Sequence, residues 1–230
     1  MKRGILVATI LLSTAAPASA QRWVPWYQPS MLDQSEPSRP QADRGDDSAP
    51  TRRSRGPGPK LLDGGGRPSI APIPPKVVEL PNTFAPGTIV IDTAGRRLFL
   101  IKSKTEAYRY PISVGREGFT WTGTEKISRI AEWPDWYPPK EMRERDRSLP
   151  EKMTGGLRNP LGAKALYLGN SLYRIHGTNS AQTIGRANSS GCFRMLNGHV
   201  VDLVRRVGVG TTVIVRRGLP AHLARARGDE

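Results

Sequence analysis

The sequence predicts a mainly β domain with one or two short helices, preceded by a disordered, Pro-rich segment. Three observations carry this. From Pro86 onward, short runs rich in Val, Ile and Leu are separated by Gly-containing turns, the pattern of strands and hairpins. One stretch alone, beginning near Asn197, has a clear helical period. Upstream, residues 21–85 hold twelve of the 21 prolines and the run Gly64-Gly65-Gly66. That composition buries too little apolar surface to offset the entropy of ordering.

The elements follow in order. Lys2 and Arg3 precede an apolar run from Gly4 to Leu12, and Ala18-Ser19-Ala20 offers a small-residue cleavage pattern. Residues 1–20 therefore read as a signal peptide, with an uncleaved anchor as the alternative. The expected address is exported, in the periplasm of a Gram-negative-type bacterium. Within the 21–85 linker, Ile70 to Leu80 is more apolar and could lie extended against the domain. Thr88–Asp92 and Arg97–Ile101 form a hairpin about the turn 93–96, and Ala107–Val114 is a third strand with Pro111 marking an edge or bulge. Residues 115–123 read as loop, and 128–160 as a long excursion with a helix-prone stretch from Lys140 to Arg147. Ala165–Leu168 and Tyr173–His176 are strand-like. Asn197 is the expected N-cap of a helix whose Val200, Val201, Leu203, Val204 and Val207 share a face, with Gly208 as its stop. Thr211–Val215 closes a domain spanning 86–217, and 218–230 is a polar tail.

Charge narrows the partners. Of the net charge of +15, the segment 86–217 carries +11, from 22 basic and 11 acidic side chains. A basic exported domain is drawn to anionic envelope polymers, although a merely soluble basic surface is equally compatible. Export and the lack of zinc-finger or ribonucleoprotein motifs argue against nucleic acid.

Cys192 is the single cysteine, so it has nothing to pair with in an oxidising compartment. His176 ends an apolar strand and opens into Gly177-Thr178-Asn179, whereas His199 is expected to be exposed in the first helical turn and His222 lies in the tail. The small residues Ser189-Ser190-Gly191 before the sulfur permit a tight turn whose amides could form an oxyanion hole. Arg194 adds positive charge, the setting in which a reactive thiolate forms. These features fit a Cys–His acyl-transfer pair, and equally a buried structural Cys with a hydrogen-bonding His. Neither a metal-ligand spacing nor a Gly-x-Ser-x-Gly elbow is present.

The segment His176-Gly177-Thr178-Asn179, then Ile184-Gly185, then Ser189-Ser190-Gly191-Cys192-Phe193-Arg194-Met195 resembles the signature of the L,D-transpeptidase (YkuD-type) catalytic domain. Gly87–Asp92 with Leu98–Leu100, Asn159–Gly162 and Gly210–Val213 extend the resemblance over 86–217. It implies an L,D-transpeptidase-type β-sandwich-like fold with no metal or organic cofactor. It also implies a peptidoglycan tetrapeptide stem as donor, cleaved between diaminopimelate and D-Ala, with a thioester intermediate and a 3→3 cross-link as product. Carried over residue by residue, Cys192 is the nucleophile and His176 the base, oriented by the Gly177 carbonyl. Gly191 and Cys192 amides are the oxyanion donors, with Ser189 and Ser190 beside them. Arg194 is a donor to a substrate carboxylate or else a structural ion pair. Trp136, with Trp133 and Tyr137, forms a substrate wall or simply packs. The family's usual His before Gly-Cys is Ser190 here, which leaves His176 as the sole imidazole and puts the family's donor choice and rate in question. Hydrolysis by an L,D-carboxypeptidase, attachment of an envelope protein, and a non-catalytic wall-binding module are the alternatives. Carbapenem acylation of Cys192 is a further implication.

Overall fold

Leu61–Leu62 (β1) opens the chain as described in the computed structural model, which covers residues 60–116 and 121–219. Lys76–Glu79 (β2), Ile89–Asp92 (β3), Arg97–Ile101 (β4), Glu106–Pro111 (β5), Val114–Gly115 (β6) and Gly123–Glu132 (β7) follow. After Lys140–Arg145 (α1) come Lys152–Met153 (β8), Lys164–Leu168 (β9) and Arg174–His176 (β10). A 3₁₀ turn at Ala181–Thr183 leads to Ala187–Ser189 (β11), Phe193–Arg194 (β12), Asn197–Val204 (α2) and Thr212–Arg216 (β13).

Nine strands join in the order β12-β10-β9-β7-β13-β3-β4-β5-β2. The ten-residue β7 is the corner. Its first half pairs with β13 and its second with β9, with a register shift between Ile127 and Arg129. A bulge there lets one strand serve two layers, the way sandwich corners are made. The main core fills the space between the layers. Ile89, Ile91, Leu98 and Leu100 from one side meet Leu166, Leu168, Ile175 and Phe193 from the other, with Val200 and Leu203 of α2. β3 is buried along its whole length because β13 and β4 flank it and both its faces are covered. The mainly β, sandwich-like architecture with two short helices is thus the one expected.

Two local expectations change. Residues 60–85, placed in the disordered linker on composition, are ordered. β1 pairs with β8, and β2 pairs with β5 at the sheet edge. Val78 and Leu80 explain why, since they fill a second core with Val90, Phe99, Ile101 and Ala107 on the opposite sheet face. The extended strap is real as well: Ile73 N–H donates to the Gly198 carbonyl at the start of α2. The remaining linker, residues 21–59, the leader and residues 220–230 lie outside the described residues. Second, His199 is buried, 8% exposed, with its ring edge-on to Tyr110.

α2 is tied to the sheet by one polar cluster. Tyr110 Oη donates to Asp202 Oδ1 at 2.8 Å, and Arg206 donates to both Asp202 oxygens at 2.7 and 3.0 Å. Burial alone would raise the Asp202 carboxyl, but the Arg206 and Tyr110 hydrogen bonds outweigh it and hold it below the ordinary range. Asp202→Asn is expected to cost about 1.5–3 kcal/mol in urea unfolding at neutral pH. Because the folded value is depressed, this contribution is complete above the unfolded carboxylate value of about 3.9 and is lost as pH falls through the lower folded one.

Candidate active site

β10 ends at His176 between β9 and β12, so its backbone is fixed on both sides. The ring is 4% exposed, and Nδ1 lies 2.7 Å from the Gly177 carbonyl oxygen. A carbonyl only accepts, so Nδ1 carries the proton and Nε2 keeps its lone pair. Burial first, then the Arg194 charge and, less strongly, that of Arg174, push the imidazole down to about 3, against the upward pull of the Gly177 and Leu161 carbonyls. The ring is therefore neutral at physiological pH.

This sets a pH expectation. If His176 is the base, kcat/KM shows no limb near pH 6.5 and falls only as pH approaches about 3. Arg194→Gln removes the second cause and moves the acid limb to higher pH. A pH series of initial rates on both proteins checks this, and a native limb at 6.5 would rule out this buried neutral base.

Cys192 sits in the turn between β11 and β12, partly exposed. Ser189 staples that turn: its Oγ donates to the Cys192 carbonyl at 2.6 Å and accepts the Gly191 amide at 3.1 Å. Gly191 has φ +113°, in the region that favours glycine. β12 runs parallel to β10 with His176 opposite Arg194. Paired residues of a ladder point to the same face, so Arg194 shares a face with His176, and Cys192 lies just before this ladder in the turn that feeds β12. The pairing is locked by Met195 N–H to the His176 carbonyl at 2.8 Å and by two Ser113–Arg194 backbone bonds of 2.9 Å. The Cys192 thiol itself donates to the Leu172 carbonyl, at 3.7 Å, and among the described residues no hydrogen bond joins it to His176.

Several expected roles shift. The Gly191 amide is taken by Ser189, so of the two expected oxyanion donors only the Cys192 amide keeps that reading. Ser189 is 1% exposed and holds the turn rather than facing a substrate. Ser190 is exposed and makes no side-chain hydrogen bond among the described residues. Arg194 is partly buried, which lowers its guanidinium from the ordinary value while the nearby Cys192 pulls it back up. No carboxylate among the described residues pairs with it, so its ion-pair alternative has no partner there.

The excursion divides as well. Trp133 is packing, 7% exposed against Ala163 and Val201. Trp136 lines a cleft of about 360 Å³ with Tyr137, Leu161, Tyr167, Arg129 and Arg174. There Arg129 stacks 3.6 Å and Arg174 5.2 Å from the Tyr167 ring centre. Beside Cys192 stands an aromatic group that sequence reasoning missed: Tyr173 stacks on Trp121 at 4.9 Å, and Trp121 lies 6.4 Å from Phe193. Burial and then the Cys192 charge raise the Tyr173 phenol.

Two asparagines hold this together. Asn197 is the first residue of α2 rather than its cap, and its Oδ1 accepts the Ala163 and Thr178 amides at 2.9 and 3.2 Å. Asn159, fully buried, donates to the Pro134, Met153 and Thr154 carbonyls and accepts the Leu161 amide at 2.8 Å. They fasten the His176–Thr178 turn and the excursion to one another.

The L,D-transpeptidase catalytic-domain family (YkuD) matches residues 86–215, more than half of the chain. The chain belongs to that family. It is 36% identical over 148 residues to "Probable L,D-transpeptidase ErfK/SrfK" of Escherichia coli (strain K12), covering 60% of this chain and 46% of that protein. Against the Bacillus subtilis (strain 168) protein YkuD it is 47% identical over 139 residues, covering 60% of this chain and 71% of that protein. The chain spans about half the length of the first of these curated relatives. An L,D-transpeptidase structure from Mycobacterium smegmatis aligns with TM-score 0.46 and 18% identity over 60% of this chain and 59% of that one. The domain carrying His176 and Cys192 is thus an L,D-transpeptidase catalytic domain, whose family implies an enzyme of that type.

Proposed function

We propose that this chain is an exported peptidoglycan L,D-transpeptidase with Cys192 as nucleophile and His176 as base. The observation that carries this reading is the parallel β10–β12 pairing, which sets an imidazole held through Nδ1 by the Gly177 carbonyl beside the strand that follows Cys192. Acylation then requires the thiol to leave the Leu172 carbonyl for His176, a tightening expected on substrate binding.

The Cys192 thiol proton passes to His176 Nε2 as sulfur attacks the carbonyl joining diaminopimelate to D-Ala. The Cys192 amide receives the oxyanion. Collapse breaks the C–N bond, the departing D-Ala amine takes the proton from His176, and a thioester remains. An acceptor amine then attacks, gives its proton to His176, and displaces the thiolate to make the 3→3 cross-link; the proton returns to sulfur. A ring held near 3 is a weak base in the empty site. A substrate carboxylate paired with Arg194 would offset that cation and strengthen the base when the donor is bound.

The mature chain incubated with disaccharide-tetrapeptide is expected to yield a cross-linked dimer by mass spectrometry. Tripeptide and free D-Ala without dimer would assign hydrolysis instead. Absence of both D-Ala release and a thioester on Cys192 would sink the enzymatic reading. A carbapenem is expected to add its mass to Cys192.

A further inference from the structure

Arg129, Tyr167 and Arg174 stand in one row across three strands. β7–β9 pairing sets Arg129 opposite Tyr167, and β10–β9 pairing sets Arg174 opposite it from the other side. Paired residues point to one face and side chains alternate at period two. The row therefore shares its face with the next one along, in which His176 stands opposite Ala165 and Ala165 opposite Ala131.

Both guanidiniums lie against the one ring, Arg129 at 3.6 Å and Arg174 at 5.2 Å from its centre. A ring attracts the cation but offers no oxygen to its N–H donors. Among the described residues neither guanidinium has a hydrogen bond or a carboxylate partner, and Arg174 Nε is buried without one. A buried donor of this kind is costly and calls for an acceptor from outside the chain. The carboxylate lining the same cleft, Asp135, is committed elsewhere. Lys152 pairs with it at 2.8 Å, and the Gly155 amide donates to it at 3.0 Å. Trp136 and Leu161 add an apolar wall, and the volume of about 360 Å³ admits one residue-sized group rather than a whole stem.

Position decides which end of the chemistry the cleft serves. The Leu161 carbonyl reaches the His176 imidazole and the Arg174 charge acts on it, so the cleft abuts that ring. Neither Cys192 nor Arg194 lines it. β12, which follows Cys192, lies on the opposite edge of β10 from β9. The cleft thus meets His176 from the side away from β12, where a second substrate can approach an acyl group held on sulfur.

We propose that this cleft is the acceptor subsite, in which Arg129 and Arg174 bind the carboxylate that shares a carbon with the attacking amine, as at the side-chain end of diaminopimelate. This role rests on the transpeptidase reading and goes beyond it by naming the acceptor class, an α-aminocarboxylate rather than water or a lysine side chain. Paired N–H donors suit a carboxylate. Arg174 and His176, two residues apart on one strand, are spaced by about 7 Å, the reach of an α-aminocarboxylate that hydrogen-bonds at both ends. The apolar wall suits the methylenes of the diaminopimelate side chain.

Binding is tested in the full chain as Cys192→Ala, titrated calorimetrically with disaccharide-tripeptide whose diaminopimelate side-chain carboxylate is free or amidated. Amidation is expected to weaken binding about tenfold, and Arg129→Gln to abolish that difference. Arg129 is exposed, so the variant keeps its fold. Transfer is followed in the Cys192 chain, with tetrapeptide as donor and either tripeptide as acceptor. The ratio of kcat/KM for free over amidated acceptor should fall about tenfold in Arg129→Gln and recover in part in Arg129→Lys, whereas a purely structural role would slow both acceptors alike. Equal binding of the two tripeptides by Cys192→Ala overturns the subsite and leaves the transpeptidase reading to be decided by D-Ala release from the native chain. A carboxylate preference that Arg129→Gln removes at the tetrapeptide donor, and not at the acceptor, overturns the acceptor assignment. Arg129-dependent discrimination in a chain that never releases D-Ala keeps the carboxylate cleft and removes the transpeptidase reading.

Discussion

A Cys192→Ala chain is expected to release D-Ala from disaccharide-tetrapeptide at least about 10⁴-fold more slowly than native, and to show no thioester by intact mass. The loss is this large because in the proposed mechanism the sulfur is both nucleophile and leaving group, and Cys192 is the only cysteine in the chain. Cys192→Ser should fare almost as badly. An alcohol is far less acidic than a thiol, so the same neutral imidazole takes its proton much less readily. His176→Gln should lower acylation by about 10²–10⁴. The double variant should be no slower than Cys192→Ala alone, because residues acting as a unit are not additive. Since His176 is 4% exposed, urea unfolding of each variant must accompany the rates. A folded Cys192→Ala chain that still releases D-Ala at the native rate would refute the mechanism.

What was legible in the sequence had local causes. The β3–β4 hairpin announces itself because two apolar runs flank one turn, and the turn's Asp92–Gly95 bond is made within four residues. The motifs around His176 and Cys192 were legible because each is a short contiguous run, the first closing β10 and the second filling the turn before β12. β7 was missed although it is the longest strand, because Ile127 is its one buried residue and its alternation is correspondingly weak. Its place is decided by β13 and β9, which flank it on both edges. The strap failed for the opposite reason. Proline-rich composition spoke for disorder, while Val78 and Leu80 meet partners from β3, β4 and β5 that no local window contains. The occupied Gly191 amide and the Tyr173–Trp121 stack are likewise products of tertiary approach.

Asn197 shows the same limit with the largest structural consequence. Its position before a helical period suggests a cap, yet its oxygen serves amides at Ala163 and Thr178, on two other loops. That oxygen occupies the space a Gly177 side chain would need: a Cβ there would lie 2.1 Å from Asn197 Oδ1 and 3.0 Å from the Ala163 nitrogen. Gly177→Ala must therefore push the Asn197 amide out of its two hydrogen bonds or move the turn that orients His176. The expected cost is about 2–4 kcal/mol in urea unfolding, combining overpacking with two amides left unpaired. The rate should fall as well, because a displacement near 1 Å at the proposed base is worth about 10²-fold. Asn197→Ala alone is expected to cost about 1–3 kcal/mol, since it removes the shared acceptor without a clash. Gly177→Ala/Asn197→Ala should then cost clearly less than the sum of the two, because the second change removes the obstacle to the first. Gly208→Ala, whose Cβ meets nothing within 4 Å, supplies the reference for a tolerated glycine. Additive costs in that cycle would mean that the oxygen of Asn197 is not what requires glycine at 177.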